Sequence, residues 1–183
     1  FTHHTLYEQY THYVPLDSEA LQRVAIQMAT EYCNLCTHVI APSESIAELL
    51  VQRQVTRPIS AIPTGIDLER FGEGDGRRFR ERYNIPADAL VIGHVGRLAG
   101  EKNLAYLARA VGQFLAEHPD AYWLVVGSGE SADAIEETVG ELANRVQLIM
   151  AGSHTGQDLV DAYTAMDLFV FSSQSETQGM VLA

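Results

Sequence analysis

Positive charge is scarce in this chain. Twelve Lys and Arg residues stand against 24 Asp and Glu, a formal net charge of −12 over 183 residues. Free duplex nucleic acid is therefore a poor partner, because phosphate binding wants a basic face. These residues also offer little to an anionic membrane. Cysteine is scarcer still, with Cys33 and Cys36 alone. Two thiols cannot build a disulfide scaffold, so a reducing cytoplasm is the default compartment. Three apart on a helix, they share one face. With only His38 close in sequence, they read as buried structural thiols and not as a zinc site. No run of about 18 apolar residues exists to cross a bilayer, and no signal peptide, solenoid repeat or low-complexity segment is visible. The chain opens on Phe1 instead of Met and is read as a fragment.

What is present is ordinary globular material, 46% hydrophobic and 20% charged, enough for one large domain or parts of two. From residue 90 onward, short apolar strands alternate with amphipathic helices. Strands are expected at 90–95, 121–126, 146–150 and 168–171. Helices are expected between them, at 104–115, 131–144 and 159–166, and a further helix start at 179–183. That alternation specifies a parallel sheet covered on both faces, with ligands bound at the carboxyl ends of the strands. Residues 1–63 give fewer strands. A helix is expected over 17–36 with Leu21, Val24, Ala25, Met28, Ala29 and Tyr32 as its core stripe. A strand at 38–41, a helix with Ser45 and Glu48 as a capping box and a strand at 59–62 follow. The glycine-rich stretch 72–76 is the linker candidate. The basic run Arg77, Arg78, Arg80 and Arg82 reads as a solvated helix face.

The chemistry-bearing loop is Gly96-Arg97-Leu98-Ala99-Gly100-Glu101-Lys102-Asn103. It lies between a strand and a helix. Glycine lets backbone approach a ligand, a helix start offers free N–H groups, and Arg97 and Lys102 supply a planar fork and a mobile point charge. Two cations there suit a diphosphate; alone, they read equally as solvated basic residues in a turn. A second loop, Gly127-Ser128-Gly129-Glu130-Ser131-Ala132, fits a dinucleotide fingerprint. The following strand ends Ala151-Gly152 without the acid such a site uses for ribose, which counts against a nicotinamide enzyme. A tight turn is the preferred reading. Trp123 reads as strand core, His94 as a core residue or one that backs a site residue, His118 as an exposed turn residue, and His154 as a loop residue able to touch a base.

Several segments together resemble the family-4 retaining glycosyltransferases of GT-B fold. They are Gly96-Arg97 with Glu101-Lys102-Asn103, Pro63-Thr64-Gly65-Ile66-Asp67, Ala41-Pro42-Ser43, and Ser173-Gln174-Ser175-Glu176-Thr177-Gln178-Gly179-Met180-Val181. The opening Phe1-Thr2-His3-His4-Thr5-Leu6-Tyr7-Glu8-Gln9-Tyr10 is similar to the diacylglycerol glucosyltransferase-like branch, with His3 in place of a residue that is often aromatic. The resemblance implies an α/β architecture of two Rossmann-like doubly wound domains, both incomplete here. Residues 1–67 would be the C-terminal part of the acceptor-side domain, 68–87 an interdomain linker and helix, and 88–183 a truncated nucleotide-sugar-binding domain. The family's donor motif pairs two Glu residues; the first is Glu176, and the second would fall one position past Ala183.

The implied activity is retaining transfer of a sugar, glucose by the branch, from a UDP-sugar to a hydroxyl acceptor such as a diacylglycerol lipid or a sugar. Arg97 and Lys102 would neutralise the departing diphosphate. Glu176 would orient the sugar and His4 would contact it near the anomeric carbon. Gly96 and the amides of Gly179, Met180 and Val181 would hold the donor. Asp-X-Asp, with which many sugar transferases of another fold hold a metal, does not occur, so no metal or cofactor is expected. The expected location is cytoplasmic or peripheral at the inner membrane face through segments outside this chain. These 183 residues alone are expected to be inactive. The rival readings are a non-catalytic nucleotide-sugar-binding protein and an NAD-dependent oxidoreductase.

Overall fold

The structure, a computed structural model, describes residues 1–13 and 18–182. The expected helix start at Asp17 and the chain end at Ala183 lie outside them. The chain forms two compact units, Phe1–Ile66 with Ser175–Ala183, and Asp67–Gln174. This division differs from the sequence reading at both ends of the second domain. The segment read as linker and helix packs inside the second unit, and the segment carrying Glu176 packs inside the first.

In the first unit a 3-10 helix (Tyr7–Tyr13) precedes α1 (Glu19–Leu35), β1 (Val39–Ala41), α2 (Glu44–Gln52) and β2 (Ile59–Ala61). β1 and β2 pair in parallel. The chain start extends this sheet: Ile40 N–H donates to Phe1 O and Ile40 O accepts from His3 N–H. Cys33, Val39, Ala41, Ile46, Leu50 and Val55 form the core. α1 begins where Ser18 Oγ accepts from the Leu21 amide. Its buried positions are Thr30 and Cys33, while Val24, Met28, Tyr32 and Leu35 are exposed. The expected core stripe is therefore wrong at Val24, Met28 and Tyr32. α1 carries apolar residues around more than one face, and packing against β1 and α2 selects the Cys33 side. The cap of α2 is also corrected. Ser43 Oγ accepts from the Ile46 amide, so the cap lies two residues before the Ser45 of the proposed Ser45–Glu48 box.

The second unit runs α3 (Leu68–Gly72), α4 (Gly76–Arg82), β3 (Leu90–Val95), α5 (Leu104–Glu117), β4 (Ala121–Val126), α6 (Ala132–Leu142), β5 (Leu148–Gly152), α7 (Gly156–Thr164) and β6 (Leu168–Phe169). All four strands are parallel, in the order β5-β4-β3-β6. α5 and α6 cover one face with Leu104, Leu107, Val111, Ile135 and Val139 around Trp123 and Val125. Phe79 of α4 and Ala162 of α7 cover the other, over Val91, Leu124 and Val126. Burying a side chain such as Phe79 stabilises by roughly 1.5–3 kcal/mol. β5 begins two residues later than expected, after a 3-10 turn (Arg145–Gln147).

One reading of the α3–α4 region is overturned and a second is refined. The glycines at 74 and 76 are contact residues: a Cβ on Gly74 would lie 1.9 Å from Thr164 Oγ1, and one on Gly76 2.4 Å from Thr164 O. The arginine run is exposed at Arg77, Arg78 and Arg82 as expected, but Arg80 is largely covered and three of the four are ion-paired. Arg78 pairs with Asp161, which is 1% exposed. Arg80 pairs with Asp167 at 2.9 Å and donates to the carbonyls of Ala165, Ala87 and Ala89. Arg82 grips Asp158 through both terminal nitrogens, at 3.0 and 3.1 Å. Charge alternation along the chain concealed that the partners come from 158–167.

Candidate functional site

In the second unit the chain steps outward from β3 to β4 to β5 and then returns to place β6 on the far side of β3. This reversal is the switch point of an open parallel sheet, where ligands bind beyond the carboxyl ends of the strands. Arg97 and Lys102 both sit on the loop that leaves β3. A 3-10 turn (Gly100–Lys102) carries Lys102, and α5 follows it directly after Asn103, which adopts the left-handed conformation at φ 54°. Arg97 is half exposed and its guanidinium is ion-paired with Glu101, whose side chain is 3% exposed.

The loop is fixed from two sides. On one, Gly96 N–H donates to Val126 O, Leu98 N–H donates to Ser128 O and Leu98 O accepts from Ser131 N–H. The backbones approach so closely that a Cβ on Gly127 would meet Gly96 O at 1.8 Å, and one on Gly129 would meet Leu98 O at 2.2 Å. Both glycines have positive φ, 148° and 153°. On the other side, the segment after β6 reaches over the switch point. Ser172 Oγ donates to Lys102 O at 2.9 Å and Asn103 O at 3.1 Å. Ser173 Oγ and Gln174 N–H donate to Glu101 O.

Beside this loop a cleft of about 360 Å³ opens over the ends of β3, β4 and β5, lined by Gly96, Arg97, Gly127, Ser128, Ser153 and His154. Ser128 Oγ and Ser153 Oγ share a hydrogen bond of 2.8 Å. The His154 ring is set by Tyr83, whose hydroxyl lies 2.8 Å from Nε2, and by Asp158, 3.7 Å from Nδ1. His94 is enclosed beneath the loop, with Nδ1 3.2 Å from Val170 O and its ring stacked with Phe169 and Phe171. Burial lowers its pKa and Lys102 acts in the same sense, against the Val170 carbonyl.

In the first unit, His4 is exposed and its carbonyl accepts from Thr177 Oγ1 at 3.1 Å. Ser43 Oγ donates to Thr177 O, and the Gln178 amide exchanges two hydrogen bonds with the Thr64 backbone. Glu176 therefore begins a segment held against His4, Ser43 and Thr64. Gly179 turns at φ 70° into a short 3-10 helix (Met180–Leu182) containing Met180 and Val181. His3 is buried at 1% exposure.

A family model described as Glycosyl transferases group 1 matches residues 75–183, and one described as Glycosyltransferase Family 4 matches residues 1–70. The chain belongs to the group 1 glycosyl transferases. Among curated relatives, the alpha-monoglucosyldiacylglycerol synthase of Acholeplasma laidlawii is 24% identical over 98% of the chain and 48% of its own length. The Streptococcus pneumoniae enzyme of the same name is 27% identical over 98% of the chain and 42% of its length. D-inositol 3-phosphate glycosyltransferase 2 of Catenulispora acidiphila is 33% identical over 78% of the chain and 36% of its length. The chain thus spans less than half the length of these relatives. Among solved structures, sucrose-phosphate synthase from Thermosynechococcus elongatus superposes with a TM-score of 0.73 at 24% identity, covering 98% of the chain and 45% of that protein. Anabaena Alr3699/HepE in complex with UDP-glucose gives 0.70 at 21% identity, covering 82% and 42%. These likenesses show the GT-B fold.

For a group 1 glycosyl transferase, the structure brings Arg97, Lys102 and Gly96 together on one loop. It brings His4 together with the segment that carries Glu176, Gly179, Met180 and Val181. The dinucleotide-like loop at 127–129 packs backbone to backbone on the loop leaving β3 and also lines the cleft. Sequence reasoning gave no role to Glu101, Ser172 or Ser173. The opposite charges of Arg97 and Glu101 within one short loop were the available signal; nothing in the sequence marks the two serines as loop anchors.

Proposed function

We propose that this chain supplies the nucleotide-sugar machinery of a retaining glycosyltransferase that moves glucose from UDP-glucose to a hydroxyl acceptor, a diacylglycerol lipid. The observation that carries the reading is the placement of Arg97 and Lys102 on one fixed loop at the switch point of a group 1 chain. The bond from the anomeric carbon to the diphosphate oxygen breaks, and a bond to the acceptor oxygen forms on the same face. The acceptor proton passes to the departing phosphate. Negative charge grows on the diphosphate as its bond breaks, so cations held there favour the transition state over the ground state. The nucleoside lies in the cleft beside Ser153 and His154. Glu176 orients sugar hydroxyls, His4 meets the sugar near the anomeric carbon, and the amides of Gly179, Met180 and Val181 hold phosphate. With two cations in that role, the transfer needs no metal. The names of the Acholeplasma and Streptococcus relatives support the lipid acceptor. A lipid acceptor in turn favours work at the inner face of a membrane; among the described residues no helix is long and apolar enough to cross one.

The test uses the full-length protein carrying this sequence, UDP-glucose and diacylglycerol in mixed micelles. Lys102→Ala should lower kcat by about 10²–10³-fold with little change in donor KM, and Arg97→Ala should behave alike. A Lys102→Ala enzyme with unchanged kcat and a raised KM would show that the cation only binds. Added chelator should leave the wild type active, and full loss of activity in chelator would overturn the metal-free reading.

A further inference from the structure

Arginine carries a long side chain whose ordering costs up to about 2 kcal/mol. A cation intended for a transition state works best when it is already in place. In the second unit Arg97 is half exposed, yet its guanidinium is held by a carboxylate that is almost wholly enclosed. A buried carboxylate is costly unless paired, so Glu101 and Arg97 each supply what the other lacks. Glu101 is itself fixed, since its carbonyl accepts from Ser173 Oγ at 3.5 Å and from Gln174 N–H at 3.4 Å. Ser172 fixes the next two carbonyls, of Lys102 and Asn103. The chain leaving β6 thus clamps the turn, the turn holds the Glu101 carboxylate, and the carboxylate holds Arg97.

We infer that Glu101 is a positioning residue: it presets the Arg97 guanidinium for a nucleoside diphosphate and transmits to it the rigidity of the segment after β6. The inference rests on the donor-site reading above. It also accounts for an acid at a site that must attract an anion. Arg97, Lys102 and Glu101 together leave one net positive charge, which moderates the loop's uniform grip on a diphosphate. Uniform grip of that kind would lower KM without raising kcat.

Two readouts in the full-length protein test this separately from the functional reading. The first is NMR of the Arg97 guanidinium, without substrate. Restricted rotation is expected in the wild type, free rotation in Glu101→Ala, and restricted rotation again in Glu101→Gln, which keeps an acceptor oxygen. Free rotation in the wild type would overturn the inference whatever the enzyme transfers. If rotation is restricted as expected and no nucleotide sugar is used, the positioning stands and the donor reading fails. The second readout is a kinetic cycle with UDP-glucose. Glu101→Ala should lower kcat by about 10²-fold while donor KM stays level or falls, because an anion has left the site. Glu101→Gln should recover most of that loss. In an Arg97→Ala background, Glu101→Ala should have little further effect, since coupled residues are non-additive. Equal losses with and without Arg97, or a Gln variant as poor as the Ala variant, would show that Glu101 does not act through Arg97.

Discussion

Two histidines, one in each unit, are enclosed and carry ring nitrogens that meet no hydrogen-bond partner: both nitrogens of His3, and Nε2 of His94. For His3 burial lowers the pKa first, aided by Arg53 and His4 and opposed by Glu8. Both rings therefore take up a proton less readily in the folded protein than a free imidazole does, whose pKa is about 6.5. The unfolded chain then binds protons that the folded chain refuses. Stability is full above that value and falls as the pH drops below it toward the lowered folded pKa. His94→Phe should shrink this acid-side loss, because it removes the titration and leaves an aromatic ring stacked beside Phe169 and Phe171. Urea midpoints at pH 7.5 and 5.5 for wild type and variant decide it, and an equal drop in both proteins would remove His94 from the account. His94 was legible as a core residue because it lies inside an apolar run. The burial of His3 was not, because a two-residue extension of a sheet leaves no period to read.

The loops at the ends of β3 and β4 touch backbone to backbone, so a methyl group at Gly127 or Gly129 has no flexible side chain to displace. Gly127→Ala should therefore damage the switch point more than Gly100→Ala, where a Cβ would meet open space. Melting temperature and UDP binding measured for both variants test this; similar behaviour of the two would show that the loops can part. The α4–α7 contact gives a second expectation. Burial alone would raise the Asp161 carboxyl, but the Asp75 amide, Gln157 and Arg78 outweigh it and bring the pKa down. Asp161→Ala removes a charged acceptor from several donors at once and should destabilise by about 1.5–3 kcal/mol, measurable by urea unfolding. These elements also mark how far sequence reading reached. β3, α5 and β4 fell where apolar period and length put them, since local pattern and burial agree there. The faces chosen by α1, the Ser43 cap and the arginine partners depended on neighbours distant in the chain. The loop that carries Arg97 and Lys102 was legible because it lies within eight residues; its support by Ser172 and Ser173, about 70 residues on, was not.

The two units have separate cores, and the single tryptophan of the chain lies wholly inside the second. Trp123 fluorescence therefore reports one unit and far-ultraviolet circular dichroism reports both. The first unit has the smaller core and exposes Met28 and Leu35 at 68% and 83%. It should unfold at lower urea, so the dichroism change should begin before the fluorescence change. Coincident curves would show a single cooperative transition instead. The arginine pairs of the second unit carry a consequence of another kind, in descent. Asp161 is enclosed, so a lineage that loses Arg78 inherits a stranded charge, and position 161 must soon follow it. Asp158 is 40% exposed, and water can replace Arg82 there. Across relatives, positions 78 and 161 should change together, while 82 and 158 drift apart.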